Sequence, residues 1–136
     1  MHWIKAYAGA LVAFLVIDLA WIAFVLKPFY EEQVGSLMRE TPDVAASAVF
    51  YLAYVGGIVF LAVEPAWRVG TLRAALARGA VLGLLAYGTY TVTNYAIFEA
   101  WSFALVVSDA AWGAVLTAAC AGAGYLAGGK PETASG

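Results

Sequence analysis

The chain divides into four apolar blocks, running from about Tyr7 to Leu26, Ala45 to Val63, Leu72 to Phe98 and Phe103 to Leu126. Each is near the ~20 residues that an α-helix needs to cross a ~30 Å hydrocarbon core. The pattern predicts an all-α fold, a bundle of four transmembrane helices. Lys27-Pro28 closes the first block and Glu64-Pro65 the second, while Arg73 and Arg78 sit on the first turns of the third. Residues 1–128 read as one membrane domain, and 129–136 as a disordered C-terminal tail.

The only long connection runs from Lys27 to Asp43. In it Phe29, Tyr30, Val34, Leu37 and Met38 recur at helical spacing, while Glu31, Glu32, Gln33 and Arg39 face elsewhere. That spacing predicts a short amphipathic helix on the outer membrane surface, in the first external loop. Trp3, Trp67 and Trp101 lie near block ends, where indole rings favour the interface, and are read as anchors. The first apolar run is too long for a signal peptide, contains Asp18 and lacks a small-residue cleavage site, so it is expected to be a retained helix.

Composition supports the membrane reading. Only 12% of the 136 residues are charged against 64% hydrophobic, too little charge to cover a soluble domain. With a net charge of −2 and no basic run, nucleic acid is not an expected partner. Cys120 and His2 are the sole residues of their types, so neither a CxxC relay nor a histidine metal cluster can form. No metal and no cofactor is expected. An activated Ser or Cys constellation and a phosphate-cradling loop are also missing, which leaves an autonomous enzyme the least supported class. Acid–base chemistry on a lipid by two aspartates stays conceivable.

Orientation follows from the basic residues. Lys5, Arg68, Arg73, Arg78 and Lys130 fall on one side of a four-span topology, and Lys27 and Arg39 on the other. The bias predicts both termini in the cytoplasm of a bacterial inner membrane.

The informative residues are the polar ones within the spans. An ionised Asp near the bilayer centre costs roughly 2.5 to 3.5 kcal/mol on insertion scales. Asp18 in the first helix and Asp109 in the fourth are each followed three residues later by tryptophan, Trp21 and Trp112, on the same helix face. Tyr51 and Tyr54 in the second helix, and Tyr87, Tyr90, Thr91 and Asn94 in the third, supply donors for carboxylates. At ~1.5 Å rise per residue, Asp18 lies about 12 Å inside the outer boundary, Asp109 and Tyr51 about 9 Å, and Asn94 about 6 Å. The candidate ligand-binding set is therefore Asp18, Trp21, Tyr51, Tyr54, Tyr87, Tyr90, Asn94, Asp109 and Trp112, a polar, aromatic layer in the outer leaflet. Two adjacent carboxyl groups there would not both carry charge readily, and one shared proton is expected. The competing reading makes the acids polar glue between helices. Gly56-Gly57, Gly79 with Gly83, and Gly122 with Gly124 are expected to let helices approach closely, and Cys120 to fill core.

Together the Asp18/Trp21 helix, Phe29-Tyr30, Phe50-Tyr51-Leu52-Ala53-Tyr54-Val55-Gly56-Gly57, Tyr87-Gly88-Thr89-Tyr90-Thr91-Val92-Thr93-Asn94, Trp101 and Asp109-Ala110-Ala111-Trp112-Gly113 make a set that resembles the DUF2177 family of small bacterial membrane proteins. The likeness covers nearly the whole chain to Leu126. It implies an Asp where this chain has Thr91, and it brings no activity with it.

Three functions compete. A lipid-linked binding or enzyme-accessory protein would hold the polar part of an amphipathic ligand among the tyrosines, with membrane lipid as its partner. A proton-coupled exporter of the small multidrug type would also place an acid in the first helix, but such exporters use one acid per chain. A non-catalytic subunit of a larger membrane complex would use its glycine-rich faces and external amphipathic segment to dock a membrane-protein partner.

Overall fold

The computed structural model describes residues 2–41 and 43–129. The expected disordered tail, from Lys130 onward, lies outside the described residues, as does Lys130 of the charge comparison. Among the described residues nearly all are helical and no strand occurs. Helix α1 (His2–Trp21) passes through a π-helical turn, Ile22–Leu26, into α2 (Lys27–Val34), which ends in the 3-10 turn Gly35–Leu37. Helix α3 (Val44–Ile58) likewise passes through Val59–Val63, again π-helical, into α4 (Glu64–Val69). Helices α5 (Leu72–Ile97) and α6 (Phe103–Gly128) are unbroken.

Local chemistry sets the starts of three helices. The Asp43 carboxylate accepts from Ala46 N at 3.0 Å, Thr71 Oγ1 from Ala74 N at 3.2 Å and Ser102 Oγ from Leu105 N at 3.2 Å. Gly70, at φ 85°, ends α4 in the left-handed region and lets α5 begin two residues later.

Lys27-Pro28 and Glu64-Pro65 do not end helices as the sequence predicts. Each proline follows a π-helical turn, in which Lys27 N–H donates to the Ile22 carbonyl and Glu64 N–H to the Val59 carbonyl. A proline ring collides with the carbonyl four residues back and offers it no N–H. The widened turn takes up that misfit, and the helix continues. The predicted amphipathic segment therefore runs straight on from α1 instead of forming a separate helix. Its inward residues Phe29, Tyr30 and Val34 pack with Trp101 and Leu105, while Leu37 is 60% exposed.

The stretches His2–Val25, Val44–Val69 and Phe103–Gly128 are long and apolar enough to cross a membrane. Helix α5 has the length, 26 residues, but its second half is diluted by Tyr87, Thr89, Tyr90, Thr91, Thr93 and Asn94. The outer surface is apolar, with Phe24 81% exposed and Phe60, Leu85 and Val115 above 60%. A surface of that kind is stable in lipid and would aggregate in water.

Helix α6 is the centre of the fold, and its two largest interfaces are with α5 and α1. From α1 it receives a single stripe, Ala6, Ala10, Phe14 and Asp18, buried at every fourth residue. Against α5 the backbones touch: a Cβ on Gly83 would run into the Gly113 carbonyl, and one on Gly79 into Thr117 and Ala118. Gly122 and Gly124 are crowded by Leu76 and by Ala6 and Val63, as expected of close approach. Gly56 and Gly57 are not: the first meets only Tyr7 at 3.9 Å and the second nothing within 4 Å. Within α3 only Val55 and Ile58 are buried, and its first seven residues, 44–50, are all exposed and stand off from the bundle.

Trp67 and Trp101 are 8% and 7% exposed, which corrects their reading as interface anchors. Their indole N–H groups find partners inside the protein, the Tyr125 carbonyl at 3.4 Å and Thr91 Oγ1 at 3.0 Å. Trp3, at 46%, is exposed as an anchor would be. Cys120 is fully buried in the core.

Candidate functional site

At the end of the bundle that carries the 35–43 and 98–102 connections, the standing-off of α3 leaves a cavity of about 530 Å³. Helix α1 contributes Asp18 and Trp21 to its wall, α3 Tyr51 and Tyr54, α5 Tyr87 and Tyr90, and α6 Asp109 and Trp112. Eight of the nine residues singled out from sequence thus border one space. The ninth, Asn94, lies a turn beyond Tyr90, beside that residue but outside the lining.

The two acids are in different circumstances. Asp109, 5% exposed, accepts a hydrogen bond from the Tyr30 hydroxyl at 2.5 Å, and Thr91 lies alongside. Burial, reinforced by this bond to the Asp109 carboxyl, pushes the Tyr30 phenol above the ordinary tyrosine range. Thr91 is itself fixed, accepting from Trp101 and donating to the Leu105 carbonyl at 3.4 Å. Asp18, 6% exposed, faces Tyr51 and Trp112 yet makes no hydrogen bond of ordinary geometry.

The two tryptophans that follow the acids stack on one another, with ring centroids 4.0 Å apart. Stacking leaves both indole N–H groups buried and without partners. Deeper in, Phe14 packs against Tyr51 and Tyr54 at 4.9 and 6.1 Å, and Tyr54 meets Tyr87 edge-on at 6.2 Å. The floor is closed where the Tyr54 hydroxyl reaches Thr117 Oγ1 at 2.7 Å.

The wall contains no Lys, Arg or His, and no group of three or more His, Cys, Asp or Glu suited to a metal occurs among the described residues. Chemically, the space offers the Asp18 carboxyl, beside Tyr51 and Trp112, and several aromatic rings.

A family described as "Predicted membrane protein (DUF2177)" matches residues 3–126. The chain belongs to the DUF2177 family. The match takes in every residue of the cavity wall. No curated protein and no solved structure matches the chain. This DUF2177 protein is thus a helical membrane protein.

Sequence reasoning missed six wall residues: Ile22, Tyr30, Ala46, Ser47, Phe50 and Ala86. Tyr30 was visible as an aromatic on the inner face of an amphipathic stretch, and only the presumed helix end at Pro28 separated it from the acids. Phe50 stacks on Tyr54 at 5.9 Å, four residues away on the same helix face.

Proposed function

We propose that this DUF2177 protein spans a bacterial inner membrane four times, both termini in the cytoplasm, and binds the polar part of an amphipathic, lipid-like ligand in the cavity. The fourth span is α5, which packs along α6 from Gly79 to Thr91 and so shares its depth. Lys5, Arg68 and Arg73 gather at the end away from the cavity, which favours a cytoplasmic assignment for that end. The cavity then lies in the outer half.

One observation carries the binding reading: a cavity of ligand size bordered by two buried carboxyl groups, of which Asp109 is held by Tyr30 and Asp18 faces only Tyr51 and Trp112. Ligand pockets run to about 300–1,000 Å³, and a purely structural pair of acids would be expected to close on its donors. Helix α3 makes scant contact with α5 beside the cavity, leaving a way in from the bilayer between Phe50 and Tyr87. An acyl chain can lie in that gap while its head meets Asp18.

Native mass spectrometry from membranes tests this. The wild-type chain is expected to carry a bound lipid-like mass that Ala86→Trp, which puts an indole into the wall, removes. Bare protein in both cases would contradict the reading.

A further inference from the structure

The charge balance of the cavity selects among ligands. Two carboxyl groups border it, and no basic side chain does. The Asp109 carboxyl is engaged by Tyr30, so Asp18 is the one left open. An anionic head would face two acids with no counter-charge. A neutral head would leave Asp18 to be neutralised by a proton, with no ionic contact to the ligand. An ammonium supplies that charge. It also suits the rest of the wall, where Phe50, Tyr51, Tyr54, Tyr87 and Tyr90 offer ring faces whose negative quadrupole attracts cations within about 6 Å.

Resting on the binding site proposed above, we infer that its ligand is an organic ammonium cation, held by the Asp18 carboxylate within the aromatic wall. The cation could be the head of a lipid amine or a free quaternary ammonium, and the two differ in whether an alkyl chain must occupy the gap between α3 and α5.

The test uses the full chain in nanodiscs of an uncharged galactolipid, which bring neither ammonium nor surface charge. Tryptophan fluorescence is titrated with dodecyltrimethylammonium, with dodecyldimethylphosphine oxide as a neutral head of like size, and with dodecyl sulfate, subtracting empty discs. The cation is expected to saturate with a Kd at least tenfold below the neutral probe, and the sulfate not to saturate. Asp18→Asn should lose tenfold or more for the cation alone, and Asp18→Glu should keep most of it. If the asparagine variant does not fold, the ranking of heads on the wild type decides. Saturation by short tetramethylammonium identifies a free cation, and a requirement for the dodecyl chain a lipid amine; both support the inference. Equal or tighter binding of the neutral probe overturns the ammonium assignment and leaves the cavity a binding site. Saturation by no probe overturns both.

Discussion

Trp21 and Trp112 stack face to face, with planes only 8° from parallel. Each stands three residues after an acid that borders the cavity, so the stack joins α1 to α6 directly beside the two carboxyl groups. Its geometry leaves both indole N–H groups unpaired, which means that ring contact, not hydrogen bonding, sets these side chains. An aromatic pair contributes about 0.5–1.5 kcal/mol beyond the area it buries.

A double-mutant cycle on Trp21→Ala and Trp112→Ala, read as resistance to unfolding in bilayers, should therefore show a coupling of about 0.5–1.5 kcal/mol. Strictly additive losses would show that the rings do not meet.

The Tyr30 hydroxyl ties the extension of α1 to Asp109 on α6. Tyr30→Phe leaves a buried carboxyl short of a donor and should cost about 0.6–2 kcal/mol of bilayer stability. Because burial and Asp109 hold the phenol in its neutral form, the absorbance difference between wild type and Tyr30→Phe near 295 nm should show no phenolate rise through the ordinary tyrosine range. A phenolate signal appearing near pH 10 in that difference would contradict the packing described.

How far the sequence reached is shown by these same residues. Asp18, Tyr51 and Asp109 could be set at one depth because a regular rise per residue and alternating helix directions are all that reckoning needs. Tyr30 could not, since a proline reads as a helix end unless a π-turn ahead of it is foreseen, and nothing in Ile22–Leu26 announces one. The tryptophans at block ends look alike in sequence, yet Trp3 is exposed while Trp67 and Trp101 are turned inward by acceptors contributed from residues distant in the chain. The space itself was illegible, because it arises from α3 standing away from its neighbours, a tertiary feature with no local signature.

Glycines divide by what surrounds them. Gly83→Ala must push α5 from α6 and should cost about 1–3 kcal/mol, as overpacking does. Gly57→Ala meets open space in a regular helix, and should be neutral or stabilise by about 0.4–1 kcal/mol. Thermal inactivation in detergent ranks the two, and the opposite order would refute the α5–α6 contact.

The proposal that α5 crosses is open to a simple labelling test, since Cys120 is the only cysteine. In a Cys120→Ala background, Arg39→Cys and Glu99→Cys should react with a membrane-impermeant maleimide added to intact spheroplasts, and Arg73→Cys only after lysis. Labelling of positions 73 and 99 from the same side would show that α5 does not cross.

Most direct of all is an experimental structure in native lipid, viewed at the space between Asp18 and Tyr87. The account predicts ordered density there, with a polar end against Asp18 and a chain leaving between α3 and α5. Helix α3 closed onto α5, with Tyr54 and Phe50 filling the space and no ordered density between Asp18 and Tyr87, would contradict it.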